Sequence, residues 1–198
     1  MTTKIYVEGG GHRSRTIAAA CRAGFGKYFE KVVPVGAMPR IVACGSRSEA
    51  YRDFLKGLDD PKYERVLLLV DAEAEVAGGD AAWTHLQKRD GWAKPDGVQD
   101  DSAHLMVQCM ESWFLADKES LAGYYGQGFN MNALPGRKEI ELIPKTDVQA
   151  ALDNATRQTQ KGAYHKTRHG FNIMAAIDPN KVEAVSDFAR RLHKSVQE

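Results

Sequence analysis

The sequence holds no apolar run near the roughly 20 residues that a transmembrane helix needs. Nor does its start, Met1-Thr2-Thr3-Lys4, lead into the apolar core of about 7–15 residues carried by a secretory signal. The expectation is a cytoplasmic protein with no membrane contact. Charge of one sign is also missing. Lys and Arg number 27 against 26 Asp and Glu, a formal net charge of +1, so contact with phosphate has to come from local clusters. Cysteine is scarce, and Cys21, Cys44 and Cys109 lack the paired spacing of a disulfide framework or a zinc module. Their apolar settings suggest buried free thiols in a reducing compartment. No Gly-x-x-x-x-Gly-Lys-Ser/Thr loop is present, which argues against a P-loop ATPase. The pair His165 and His169 has no accompanying His-Glu-x-x-His pattern for zinc.

What remains is a globular composition: 198 residues, 43% hydrophobic and 27% charged, enough for one ordinary core. Strand and helix patterns alternate along it. Lys4-Ile5-Tyr6-Val7-Glu8 is a β-branched and aromatic run halted by Gly9-Gly10-Gly11, which predicts a strand and a tight turn. The spacing of Ile17, Ala20, Cys21, Phe25 and Phe29 predicts a helix from Ser14 to about Val32. Arg40 to Cys44 predicts a second strand, after which Ser46 caps a helix bearing Tyr51, Phe54, Leu55 and Leu58. Arg65 to Asp71 encloses an unbroken apolar run, as in a central strand covered on both faces. A polar surface excursion follows from about Ala77 to Asp101, with a short helix near Trp83. His104 to Met110 predicts a fourth strand leading into a helix at Glu111. Beyond lie a helix near Asp147 to Arg157, a basic and aromatic stretch from Lys161 to Phe171, and one amphipathic helix carrying Val182, Val185, Phe188 and Leu192. The alternation predicts a Rossmann-like α/β fold, a mainly parallel sheet flanked by helices. Residues 1–125 would form its core, and 126–198 a C-terminal, helical extension packed on the same domain.

Glu8 ends the first strand and Asp71 the third, so a parallel sheet delivers both to its carboxyl edge, where α/β folds bind ligands. Glu73, two residues on, shares a face with Asp71 in an extended segment. Three carboxylates at one rim repel unless a cation neutralises them. Hard oxygens suit Mg²⁺, or Mn²⁺ in its place, with ligand positions left for phosphate oxygens. Gly9-Gly10-Gly11 would open backbone amides to an anion at a helix start. By spacing alone, the same residues also read as a loop start and a glycine turn.

Lys4 to Gly11, followed by Leu67-Leu68-Leu69-Val70-Asp71-Ala72-Glu73, resembles the Toprim domain of topoisomerases, primases and overcoming-lysogenization-defect (OLD-type) nucleases. There a glutamate follows the first strand and an Asp-x-Asp pair follows a later one. Glu73 stands here for the second aspartate, an oxygen ligand of longer reach. The blocks Met106 to Asp117 and Tyr164 to Gly170 are similar to a bacterial family of Toprim-like proteins, so the resemblance spans most of the chain. It implies a Toprim-like fold and a metal on Glu8, Asp71 and Glu73 for chemistry on DNA or RNA. A partner ATPase is implied too, since such relatives often lie beside ATPases in prophage or anti-phage loci.

Glu111, past the fourth strand, would join as ligand or general base, or merely favour a helix dipole. Asp117 reads as a surface or capping residue, and Trp113 and Phe114 as core anchors. Lys161 to His169 mixes cations with Tyr164, as where phosphates are gripped and a base is contacted. The resemblance favours Lys166 and His169 as phosphate-facing, with Arg13 and Arg15 as further candidates. The leading function is Mg²⁺-dependent hydrolysis of a nucleic-acid phosphodiester, a nuclease of phage defence. Glu8, Asp71, Glu73, Glu111 and Lys166 would be catalytic, and Gly9, Gly10, Gly11, Arg13 and His169 would bind the phosphate. The alternative is a noncatalytic module that binds metal, nucleotide or a partner ATPase. A dinucleotide enzyme is disfavoured, because Ser14 replaces the last glycine of Gly-x-Gly-x-x-Gly and no acidic residue ends the second strand. Oligomeric state has no signature in the sequence.

Overall fold

The computed structural model describes residues 2–9 and 14–198. Four strands, β1 (Thr3–Val7), β2 (Arg40–Ala43), β3 (Arg65–Asp71) and β4 (Ala103–Met106), form one sheet in the order β2-β1-β3-β4. Every pairing is parallel. Because strand side chains alternate between faces, Ile5, Val7, Leu67, Leu69 and Met106 enter one hydrophobic cluster. Tyr6, Val66, Leu68, Val70, Ala103 and Leu105 enter the other. The unbroken run of β3 thus has a physical reason: both of its faces are covered.

Helices α1 (Arg15–Phe29), α2 (Arg47–Gly57) and α3 (Ala82–Asp90) follow the first three strands. Ser14 caps α1 by accepting from the Ile17 N–H at 3.3 Å. Ser46 and Glu49 form a reciprocal capping box on α2. Beyond β4 come α4 (Met110–Phe114), α5 (Lys118–Tyr125), α6 (Lys145–Thr156), α7 (Phe171–Ala176), α8 (Pro179–Glu183) and α9 (Asp187–Gln197). The first cluster runs from Ile5 to Val196, so Val148, Leu152, Ile173 and Leu192 share a core with β1 and β3. Among the described residues, no helix is long and apolar enough to cross a membrane.

Two expectations need correction. The fourth strand stops at Met106, where its ladder with Asp71 ends, and Met110 already opens α4. The last helix is two, because the Ser186 side chain accepts from the Ala189 N–H at 3.0 Å and starts α9 afresh. The excursion between α3 and β4 is strapped down, with Trp92 stacked on Tyr51 at 4.2 Å between ring centroids. Helices α1 and α7 approach unusually closely at one point. A Cβ on Gly24 of α1 would lie 2.4 Å from the Phe171 carbonyl oxygen, so α7 sits where only glycine lets it.

Candidate functional site

Parallel strands end together, and three acidic residues emerge where these do. Glu8 follows β1 and extends the ladder, its N–H donating to the Leu69 carbonyl at 2.9 Å. Its Oε2 accepts from the Asp71 N–H at 3.1 Å. Asp71, only 1% exposed, accepts from the Met110 N–H at 2.7 Å through Oδ1. Oδ2 meets Lys166 Nζ at 3.0 Å. Glu73 adopts φ 67°, a conformation uncommon outside glycine and concentrated at functional sites. Glu8, Asp71 and Glu73 each offer an oxygen, and these oxygens lie within 4.8 Å of one another. Glu111 is buried in the first turn of α4. Its Oε1 accepts from the Tyr164 hydroxyl at 2.8 Å, and among the described residues its Oε2 has no hydrogen-bond partner.

Among the described residues, three cations answer this charge, each on a different carboxylate. Lys166 also stands 3.8 Å from Glu111 Oε2. Lys145, at the start of α6, grips both oxygens of Glu73 at 2.7 Å. Arg47, the first residue of α2, reaches Glu8 at 3.6 Å and the Asp71 carbonyl. Asp90 anchors it through Nε at 3.1 Å and Nη2 at 2.7 Å, and it lies 5.1 Å from the centroid of the Trp92 ring. Even so, burial and then the Asp71 charge push the Glu8 carboxyl up to about 7, against Arg47. Burial likewise raises Asp71, with Lys166 opposing and Glu111 assisting. Burial would lower Lys166, but Asp71 and Glu111 outweigh it and raise the ammonium above its ordinary value. Glu73 goes the other way: Lys145 overcomes burial and lowers it.

The donor set fits a hard divalent cation. Three carboxylates converge, two of them hold protons more tightly than ordinary carboxylates, and a fourth has an orphaned buried oxygen beside them. Glu8, Asp71 and Glu73 would hold the ion, and Glu111 stands behind Lys166.

Five sequence-derived candidates, Glu8, Asp71, Glu73, Glu111 and Lys166, therefore meet at one edge. Gly9 lies there too, at φ 131°, but its N–H donates to the Gly45 carbonyl at 2.9 Å, which leaves it no hydrogen for an anion. Gly10, Gly11 and Arg13 lie outside the described residues. His169 is buried in a cage of Tyr124, Tyr125 and Tyr164. Its Nδ1 accepts from the His165 N–H at 3.1 Å, and burial lowers its pKa. Asp117, expected as a surface or cap residue, caps α5 from a buried position. Sequence reasoning missed Arg47 and Lys145. Arg47 had a signal, since it opens the helix after a strand end at this rim; Lys145 had none.

No curated protein and no solved structure matches the chain. A family model described as Domain of unknown function (DUF4276) matches residues 7–197, nearly the full length, and the protein belongs to that family.

Proposed function

We propose that this protein is a Mg²⁺-dependent phosphodiesterase acting on nucleic acid, with a Toprim-like arrangement of its acidic residues. The observation that carries the reading is the meeting of Glu8, Asp71 and Glu73 oxygens within 4.8 Å at the carboxyl edge. Buried free thiols at Cys21, Cys44 and Cys109 fit a reducing, cytoplasmic setting. Bound to the three carboxylates, Mg²⁺ would polarise a phosphoryl oxygen and favour in-line displacement at phosphorus. Lys166 keeps its proton and places fixed positive charge beside the carboxylates, where it offsets the negative charge that grows on phosphate oxygens. Glu111 Oε2, without a donor of its own, is the acceptor for the proton of an attacking water. The Tyr164 hydroxyl holds that carboxylate in place through its other oxygen.

The test is cleavage of labelled single-stranded DNA, duplex DNA and RNA with Mg²⁺ or Mn²⁺, with and without EDTA, by wild type and a folded Asp71→Asn variant. Cleavage that needs the metal and vanishes in the variant is the expected result. Cleavage that persists in EDTA and in Asp71→Asn would refute the mechanism. Calorimetric Mg²⁺ binding with no turnover on any of these substrates would instead support a noncatalytic, metal-binding module.

A further inference from the structure

At the outer side of β4, the edge strand of the sheet, a cavity of about 320 Å³ opens between α3 and α9. None of the clustered carboxylates lines it. Ala82, Ala103 and Phe188 give it apolar walls, while His104, Arg191 and Lys194 are its polar features. His104 is 3% exposed. The Asp101 carbonyl interacts with its ring, and among the described residues its Nε2 has no partner. With Nε2 unpartnered, that carbonyl is assigned to Nδ1–H, a tautomer that leaves Nε2 a lone pair. Leaving a buried polar atom unpaired is unfavourable, and a ligand N–H or O–H would relieve it. Burial lowers this imidazole to about 4 against the Asp101 carbonyl, so the ring stays a neutral acceptor near neutral pH.

The mouth supplies a second handle. Its acidic side chains are already matched: Asp101 and Glu198 by Arg65, and Asp100 by Lys94. Arg191 meets no carboxylate among the described residues, and its guanidinium rests over the Phe188 ring, 5.1 Å from the centroid. An exposed cation with only an aromatic face for company is ready for an anion with paired oxygens. A deep acceptor and a cationic mouth ask for an elongated ligand: a flat ring with a hydrogen-bond donor at one end and an anion at the other. The volume lies at the low end of the about 300–1,000 Å³ usual for ligand pockets, enough for one nucleotide and too small for an oligonucleotide.

We propose that this cavity binds a nucleoside monophosphate. An exocyclic amine donates to His104 Nε2, the ring lies against Ala82, Ala103 and Phe188, and the phosphate meets Arg191 and Lys194. The site is independent of the carboxylate edge. AMP is the probe, titrated into ¹⁵N-labelled protein while the His104 Nε2 resonance and the heat of binding are followed. Saturable binding with a shifted Nε2 resonance is expected, and it should be unchanged in Asp71→Asn. Adenosine and ribose 5-phosphate, each lacking one handle, should bind about tenfold more weakly or worse. Arg191→Gln, at an exposed position, should weaken AMP binding by about tenfold with no change in melting temperature. An unmoved Nε2 resonance at saturating AMP, ribose 5-phosphate binding as well as AMP, or full affinity in Arg191→Gln would each overturn the assignment.

Discussion

Asp71 and Asp117 are both buried aspartates held by a lysine, and their surroundings set them apart. Asp117 is 2% exposed and is satisfied from all sides. It accepts from the Ser120 N–H at 3.3 Å, the Ser120 hydroxyl at 2.6 Å, the Asp178 N–H at 2.9 Å and Lys181 Nζ at 2.7 Å. Burial pushes its carboxyl up, but Lys181, Ser120 and Asp178 together hold it at about 2. Asp71 has one backbone donor and one lysine, with Glu8 and Glu111 for neighbours. A buried charge that finishes its own neutralisation ties elements together, here α5 to α8. One left short of partners is prepared for something from outside.

The sharpest way to break this contrast is to neutralise each residue. Asp71→Asn should cut cleavage by roughly a thousandfold, since several kcal/mol of metal-borne charge stabilisation go with it, while the urea midpoint holds or rises. Asp117→Asn should do the reverse, lowering the urea midpoint because the Ser120 and Asp178 N–H groups and Lys181 lose a buried carboxylate that ties α5 to α8, with unchanged cleavage per folded molecule. If both variants lost activity and stability alike, the two sites would not differ in kind.

Glu8 gives the next largest effect. Its folded pKa of about 7 lies above the ordinary 4.5, so the folded state holds the proton more tightly. The stabilisation it contributes is complete below the ordinary value and is lost as pH rises through about 7. Urea melts of the metal-free protein should show a decline of roughly 2–3 kcal/mol over that window, absent in Glu8→Gln. Stabilisation by Mg²⁺ should grow over the same window, because the ion competes with that proton.

Smaller changes refine the contrast. Tyr164→Phe strips from Glu111 Oε1 its one donor among the described residues and should cost about 1–2 kcal/mol in chemical denaturation. Lys145→Met removes the cation that occupies Glu73 and should tighten Mg²⁺ binding by roughly threefold in calorimetry, in line with the modest worth of a partly exposed ion pair.

Much of this edge was legible from the sequence because strands announce their own ends. Glu8 and Asp71 each close an apolar run, and parallel pairing does the rest. The pairing of cations with carboxylates was harder to see, and Lys166 entered only through the family resemblance. Lys145 and Lys166 stand 72 and 95 residues from the carboxylates they meet, and no periodicity links such separations. The tyrosine cage around His169 escaped notice for the same reason, since Tyr124 and Tyr125 belong to α5. The final helix was misread because the apolar rhythm of Val182, Val185, Phe188 and Leu192 continues across a Ser186 cap that interrupts the backbone.

Gly24 touches none of this chemistry, yet it governs the spacing. Phe171, which leads α7 directly out of the Lys166–Gly170 turn, presses its carbonyl against Gly24 and its ring toward Gly9, next to Glu8. The absent methyl group on α1 thus acts as a shim. Its thickness fixes how low the lysine-bearing turn sits over the acidic rim, so the reach between a cation and its carboxylate is gauged from the far side of the helix layer.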